Sequence, residues 1–215
     1  MIELNPKKNN IALDLDGTIL DSRWRHICVL ADCINQINGT VYAPENFDDF
    51  VSYKSEGNTG LFYLKDKKIP NETAIISLWM KRIEYKKYLR SDKLYPNVLS
   101  DLKKMSDRYN LFLLTARSNP SNARWQLSEL GIGEFFREMM VVENTGDVGL
   151  NKYQAIRSIP LAFVIGDTEA DLALAKYARC EFFPLNYGFR SAQYWKKNGL
   201  KSYNNIIKIF SIIKK

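Results

Sequence analysis

Two aspartates one residue apart, Asp14 and Asp16, follow the apolar run Ile11-Ala12-Leu13 and precede Gly17-Thr18. Alternate side chains of a strand share a face, so both carboxylates leave the strand's carboxyl end on one side, close enough to share a cation. Two carboxylates that near repel, and without a metal one tends to keep its proton; a bound Mg²⁺ reverses that penalty. The same residues could also be a strand running into an Asp-Gly turn.

Other chemistry-bearing residues follow at intervals. Leu111-Phe112-Leu113-Leu114 runs into Thr115-Ala116-Arg117-Ser118, which offers a hydroxyl and free backbone amides at a helix start: a phosphate seat, or an ordinary cap. Gly166-Asp167-Thr168-Glu169-Ala170-Asp171 sets a second pair of carboxylates one helical turn apart. Such oxygen-rich ligands without histidine or thiolate suit Mg²⁺, although acidic residues also favour first helical turns for the dipole alone. Lys152, in Gly149-Leu150-Asn151-Lys152, is expected just inside a helix start, where a cation is disfavoured unless an anion lies near.

These residues need a scaffold that gathers them. Apolar, partly β-branched runs at 11–15, 111–115, 139–142, 161–165 and 180–183 predict strands. Helical patterns at 121–130, 152–157 and 169–178 alternate with the later four, which predicts an α/β fold: a parallel sheet of about five strands with helices on both faces. Right-handed crossovers bring the strand ends to one edge, where ligands of such sheets bind. A further helix is expected over 98–108.

One long interval breaks the alternation. Residues 22–95 hold no convincing buried strand but carry a helical pattern over 22–37, a loop-rich middle with Gly57 and Gly60, and a second helix over 72–89. They read as an inserted helical lobe, hinged at 20–22 and 91–96, on a core made of 1–21 and 96–215. Arg23 and His26, three apart at the start of the lobe's first helix, and Lys54, Glu56 and Asn58 in its Gly-containing loop are candidate specificity residues. The isoleucine-rich segment 204–215 reads as a helix docked on the core in preference to one lying on a membrane.

The whole-chain properties narrow the class. Hydrophobic residues make up 46% and charged residues 26% of the 215, which argues against disorder, and no apolar run is long enough to span a bilayer. Residues 1–10 are polar, with Lys7 and Lys8, and do not resemble a secretory signal, so the cytoplasm is the expected compartment. Cys28, Cys33 and Cys180 cannot all pair and are expected to be reduced, and His26 as the sole histidine excludes multi-histidine zinc sites. The net charge of +7 is spread without a dense block, which favours phosphorylated metabolites or a solubilising surface over nucleic acid or membrane.

Taken together, Asp-x-Asp-Gly-Thr at 14–18, then Thr115, Lys152 and Gly-Asp-x-x-x-Asp at 166–171, in this order and at successive strand ends, resemble the haloacid dehalogenase-like (HAD) hydrolase superfamily over essentially the whole chain. The helical insertion, Asp21 and the re-entry Leu94-Tyr95-Pro96-Asn97-Val98 resemble the phosphoglycolate phosphatase and β-phosphoglucomutase branch with its C1-type cap. The resemblance implies a Rossmann-like sheet in which Asp14 is a nucleophile and Asp16 an acid/base group. It further implies Mg²⁺ held by Asp14, Asp16 through its main-chain carbonyl, and Asp167, with Asp171 in the outer shell. Thr115, Ala116 and Lys152 would bind the phosphoryl oxygens.

Lys152 stands only fifteen residues before Asp167, closer than is usual in such relatives. Asp16 argues against a dehalogenase or phosphonatase, which lack an aspartate there. The expected function is Mg²⁺-dependent hydrolysis of a small phosphorylated metabolite, a sugar phosphate being one candidate, by a monomer or weak homodimer. A phosphomutase would share every motif, and a non-catalytic binding protein would keep the fold alone.

Overall fold

The computed structural model describes residues 9–213; positions 1–8 of the polar opening segment, the lysines at 7 and 8 among them, lie outside them. Five strands, β1 (Asn10–Leu13), β4 (Asn110–Ala116), β5 (Glu138–Val142), β6 (Phe163–Gly166) and β7 (Glu181–Pro184), form a parallel sheet in the order β5-β4-β1-β6-β7. Their side chains alternate between two apolar layers. Ile11, Leu13, Leu111, Leu113, Phe163 and Ile165 pack on one face with Leu102, Leu127 and Ile209, from helices α6 (Val98–Ser106), α7 (Pro120–Glu129) and α11 (Ile206–Ile213). Ala12, Phe112, Leu114 and Val164 pack on the other with Ile156 and Leu174, from α8 (Val148–Ile156) and α9 (Glu169–Ala178). The C-terminal helix thus docks on the core through Ile206 and Ile209.

β1 lies at the centre, and the chain leaves it first toward β4 and β5, then returns to lay down β6 and β7 on its other side. This reversal opens a crevice at the strands' carboxyl ends. Just beyond β1, a short antiparallel pair joins β2 (Leu20–Asp21) to β3 (Lys93–Leu94), with Leu20 opposite Leu94. Everything between these two strands is a helical lobe with its own apolar centre around Leu30, Ile34, Phe50, Tyr63, Leu64 and Ile75.

The lobe departs from the sequence reading in two places. The expected loop-rich middle folds as α2 (Asp49–Ser55) and α3 (Gly60–Asp66), which follow α1 (Arg23–Asn38). Each has seven residues, too few for helical periodicity to stand out. The helix expected over 72–89 is broken into α4 (Glu72–Arg82) and α5 (Lys86–Leu89), because Tyr85 takes an extended conformation. A short α10 (Ala192–Lys197) buries Trp195, whose Nε1 donates to the Leu185 carbonyl at 2.9 Å. The three cysteines are unpaired. Among the described residues no helix is long and apolar enough to cross a membrane.

Candidate active site

β1 ends at Leu13, and the Asp14 amide donates to the Ile165 carbonyl at 3.1 Å, which brings Asp14 beside the end of β6 and so beside Asp167. Gly17 turns the chain away with φ +81°, and a Cβ there would lie 2.1 Å from Asp167 Oδ2. Glycine is therefore required twice over, by conformation and by room. Asp167 is fully buried and held by Thr18, whose Oγ1 donates to Oδ1 at 3.1 Å, and by the Phe189 amide, which donates to Oδ2 at 2.6 Å.

Lys152 completes the cluster from the neighbouring helix. Its Nζ donates to Asp14 Oδ1 and to Asp171 Oδ1, each at 2.6 Å. The reach depends on close packing of α8 on α9, since a Cβ on Gly149 would lie 2.4 Å from Ala173 Cβ. Asp171 turns its second oxygen to the Thr168 amide and hydroxyl, at 3.1 and 2.9 Å. Lys152 is not at a helix start as expected: α8 begins four residues earlier, at Val148, with Asp147 as its cap. Its partners, not the dipole, account for its place.

Asp14, Asp167 and Asp171 present carboxylate oxygens within 4.8 Å of one another. Three carboxylates against one ammonium leave two negative charges, a donor set that fits one hard divalent cation. The metal-free electrostatics agree. Burial pushes Asp14 up to about 7 despite Lys152, with Asp171 adding to the rise. Burial, and then the Asp14 charge, raise Asp167 well above the carboxylate range. Burial opposes the Lys152 charge, but Asp14 and Asp171 more than offset it and keep the ammonium protonated.

Asp16 has a different environment. Arg117 grips it with two parallel bonds of 2.8 Å, Nε to Oδ2 and Nη2 to Oδ1, and Arg25 of the lobe donates from Nη2 to Oδ1. Although burial pushes its carboxyl up, the Arg117 and Arg25 guanidiniums hold it well below the usual range. The Asp16 side chain thus faces arginines and stands outside the acidic group, in keeping with the expectation that only its main-chain carbonyl would meet a metal. Behind it, Gln126 links Arg117 to Asp92 through bonds of 2.9 and 2.8 Å, and Arg25 Nε lies 3.3 Å from Asp92 Oδ1.

Above this floor is a cavity of about 420 Å³, walled by Asp14, Asp16, Thr115 and Lys152 from the core and roofed by His26, Lys54 and Trp79 from the lobe. A model of the haloacid dehalogenase-like hydrolase family matches residues 11–184. The chain belongs to that family. Among solved structures, this hydrolase is similar to a haloacid dehalogenase-like family protein from Streptococcus pneumoniae, at 19% identity and TM-score 0.71, over 96% of this chain and 99% of that one. It is also similar to a predicted phosphatase from Clostridium acetobutylicum, at 19% identity and TM-score 0.70, over 96% and 98%. A predicted phosphoglycolate phosphatase from Haemophilus somnus gives 19% and 0.69, over 96% and 98%. No curated protein matches by sequence.

The remaining expected residues of the hydrolase divide. Thr115, Ala116, His26 and Lys54 line the cavity. The amide of Ser118, in the expected phosphate seat, and that of Asn119 just after it are instead filled from within the chain: both donate at 2.7 Å to the Glu84 carboxylate of the lobe. Arg23 is outside the cavity, paired with Asp21 at 2.6 Å on a separate groove. Asn58 is also outside it, exposed, with its amide donating to the Tyr53 carbonyl at 3.1 Å. From α1 it is Arg25 and His26 that line the cavity, while Arg23 lines the separate groove.

Arg25, Glu84, Arg117 and Arg190 are cavity residues that the sequence reading missed. For Arg117 a signal existed, since it follows Thr115-Ala116 at a strand end. Glu84 had none while the segment read as one unbroken helix.

Proposed function

We propose that this hydrolase is a Mg²⁺-dependent phosphatase that cleaves a small phosphorylated metabolite through an aspartyl-phosphate on Asp14. The observation that carries this reading is the separation of the two neighbouring carboxylates: Asp14 sits with Lys152 and the acidic group, while Asp16 faces arginines alone. Asp14, Asp167 and Asp171, the last through its own partners, would hold the metal. When bound, Mg²⁺ supplies charge neutralisation for the transferring phosphoryl group.

In the first displacement an Asp14 carboxylate oxygen attacks phosphorus, the ester bond breaks, and Asp16 gives its proton to the leaving oxygen. In the second, water attacks the phosphorus and yields a proton to Asp16, freeing inorganic phosphate and Asp14. Lys152 and Thr115 neutralise and orient the phosphoryl oxygens in both. Because Arg25 and Arg117 favour the charged form of Asp16, the reading requires Asp16 to take up a proton as substrate enters. The descriptions of the structural relatives as phosphatases support the reaction class.

Phosphate release from a panel of phosphorylated sugars, acids and nucleotides, with Mg²⁺ and with EDTA, tests it. Release that needs Mg²⁺ and disappears in Asp14→Asn is the expected result, and a panel with no release above the Asp14→Asn level overturns it.

A further inference from the structure

Five cationic side chains line the cavity besides the neutral His26, and four of them are engaged by carboxylates. Lys152 holds Asp14 and Asp171, Arg25 and Arg117 hold Asp16, and Arg190 grips Glu169 through Nε to Oε1 at 2.6 Å and Nη2 to Oε2 at 2.9 Å. Lys54 is the fifth. Among the described residues no carboxylate lies within ion-pair distance of it.

Its direct contacts are aromatic rings and a neutral imidazole. The Nζ is 3.2 Å from His26 Nδ1, 4.9 Å from the centre of the Phe189 ring, and 5.5 Å from those of Trp79 and Phe50. Burial first, then the Lys54 charge, hold the imidazole well below its usual pKa, so Nδ1 accepts from Lys54 and the ring brings no compensating charge. Ring faces attract an ammonium, but a half-buried cation without a directly paired counter-ion remains a costly arrangement. Burial and the nearby Arg190 accordingly pull Lys54 down to about 8.

The lysine is also held in place by its backbone. Arg190 Nη1 donates to the Lys54 carbonyl at 2.9 Å, and the Ser191 amide to the Ser55 carbonyl at 3.0 Å. Trp79 Nε1 donates to the His26 carbonyl at 3.2 Å, fixing the roof beside it. A preorganised donor lining the same cavity as Asp14, with the Asp167 and Glu169 carboxylates acting on it only from beyond ion-pair distance, has room for an anion in direct contact.

We infer that Lys54 is the counter-charge for a second anionic group of the substrate, remote from the phosphoryl group transferred at Asp14. The preferred substrates are then phosphomonoesters that carry a carboxylate or a second phosphate on a short carbon frame, in keeping with a cavity of about 420 Å³. This inference rests on the phosphatase reading for the reacting end of the substrate, and adds the identity of the other end.

Matched pairs test it: 3-phosphoglycerate against glycerol 3-phosphate, and fructose 1,6-bisphosphate against fructose 6-phosphate, on the wild type, Lys54→Met and Lys54→Arg with Mg²⁺. The wild type is expected to favour the anionic member of one pair by about tenfold or more in kcat/KM, and which pair responds tells carboxylate from phosphate. In Lys54→Met that preference ratio falls by about tenfold, mainly through KM, and Lys54→Arg retains most of it. Thermal melts give a second readout: 3-phosphoglycerate or the bisphosphate raises the wild-type Tm more than its partner does, and the difference vanishes in Lys54→Met.

A wild type that neither prefers nor is selectively stabilised by the anionic members overturns the inference, as does a preference that survives Lys54→Met. Absence of phosphate release from every substrate, with selective stabilisation intact, overturns the phosphatase reading and leaves the Lys54 assignment standing.

Discussion

Arg25, on the first helix of the inserted lobe, donates to the carboxylate of Asp16, just beyond the carboxyl end of β1. That carboxylate is held ionised by Arg117 of the core and, after it, by Arg25 of the lobe, so the docked lobe adds to a charge preference that the core already sets.

Arg25→Met keeps most of the side-chain volume and removes the charge. Arg25 is 2% exposed and also faces Asp92, so the change leaves a buried carboxylate without a cation. Loss of about 3 kcal/mol in urea unfolding is expected. A loss below about 1 kcal/mol would mean that Arg117 and Gln126 suffice to hold both acids.

Asp16→Asn preserves shape and hydrogen-bond acceptance on one oxygen but cannot exchange a proton. Steady-state phosphate release should fall by about 10²–10⁴-fold in kcat with a smaller change in KM. Retention of wild-type kcat would assign proton transfer elsewhere.

Glu84 fastens the lobe to the core by accepting the Ser118 and Asn119 amides ahead of α7. Glu84→Gln gives up the charge and half of the acceptor capacity, at a cost of about 1–2 kcal/mol. Hydrogen exchange over 117–122 should accelerate markedly. Unchanged protection there would show that the contact does not hold the lobe.

Proton competition gives the metal site a pH signature. Asp14, pushed by burial up to about 7, and Asp167, also raised by burial, bind protons in the metal-free fold that the unfolded chain has released by then. Their contribution to stability is complete below about pH 4 and declines as pH rises through 7. His26, held neutral by burial, runs the other way below its ordinary pKa, but equally with and without metal. The gain in Tm on adding Mg²⁺ should therefore grow from pH 5 to pH 8. A gain independent of pH would place the ion away from these carboxylates.

Most of the floor of the site was legible in the sequence because its residues, Lys152 in the middle of α8 excepted, end a strand or open the helix after it. Asp14, Thr115 and Asp167 are placed by short continuous apolar runs, and parallel order brings such ends together. The roof was not legible. Arg25, Glu84 and the setting of Lys54 depend on how the lobe lies across the edge, through contacts such as Arg190 to Lys54 that span most of the chain. Periodicity carries no information about such contacts, and a short extended stretch at Tyr85 was enough to hide Glu84 within an apparent helix.

The two-residue strands β2 and β3 pair with each other where the chain leaves the sheet and where it returns. An insert whose ends are already clasped imposes almost no closure entropy on its host, whatever its length or shape. The sheet could therefore accept a different lobe grafted at Leu20 and Leu94 without relearning how to fold, so that reactivity and substrate choice are inherited as separate modules.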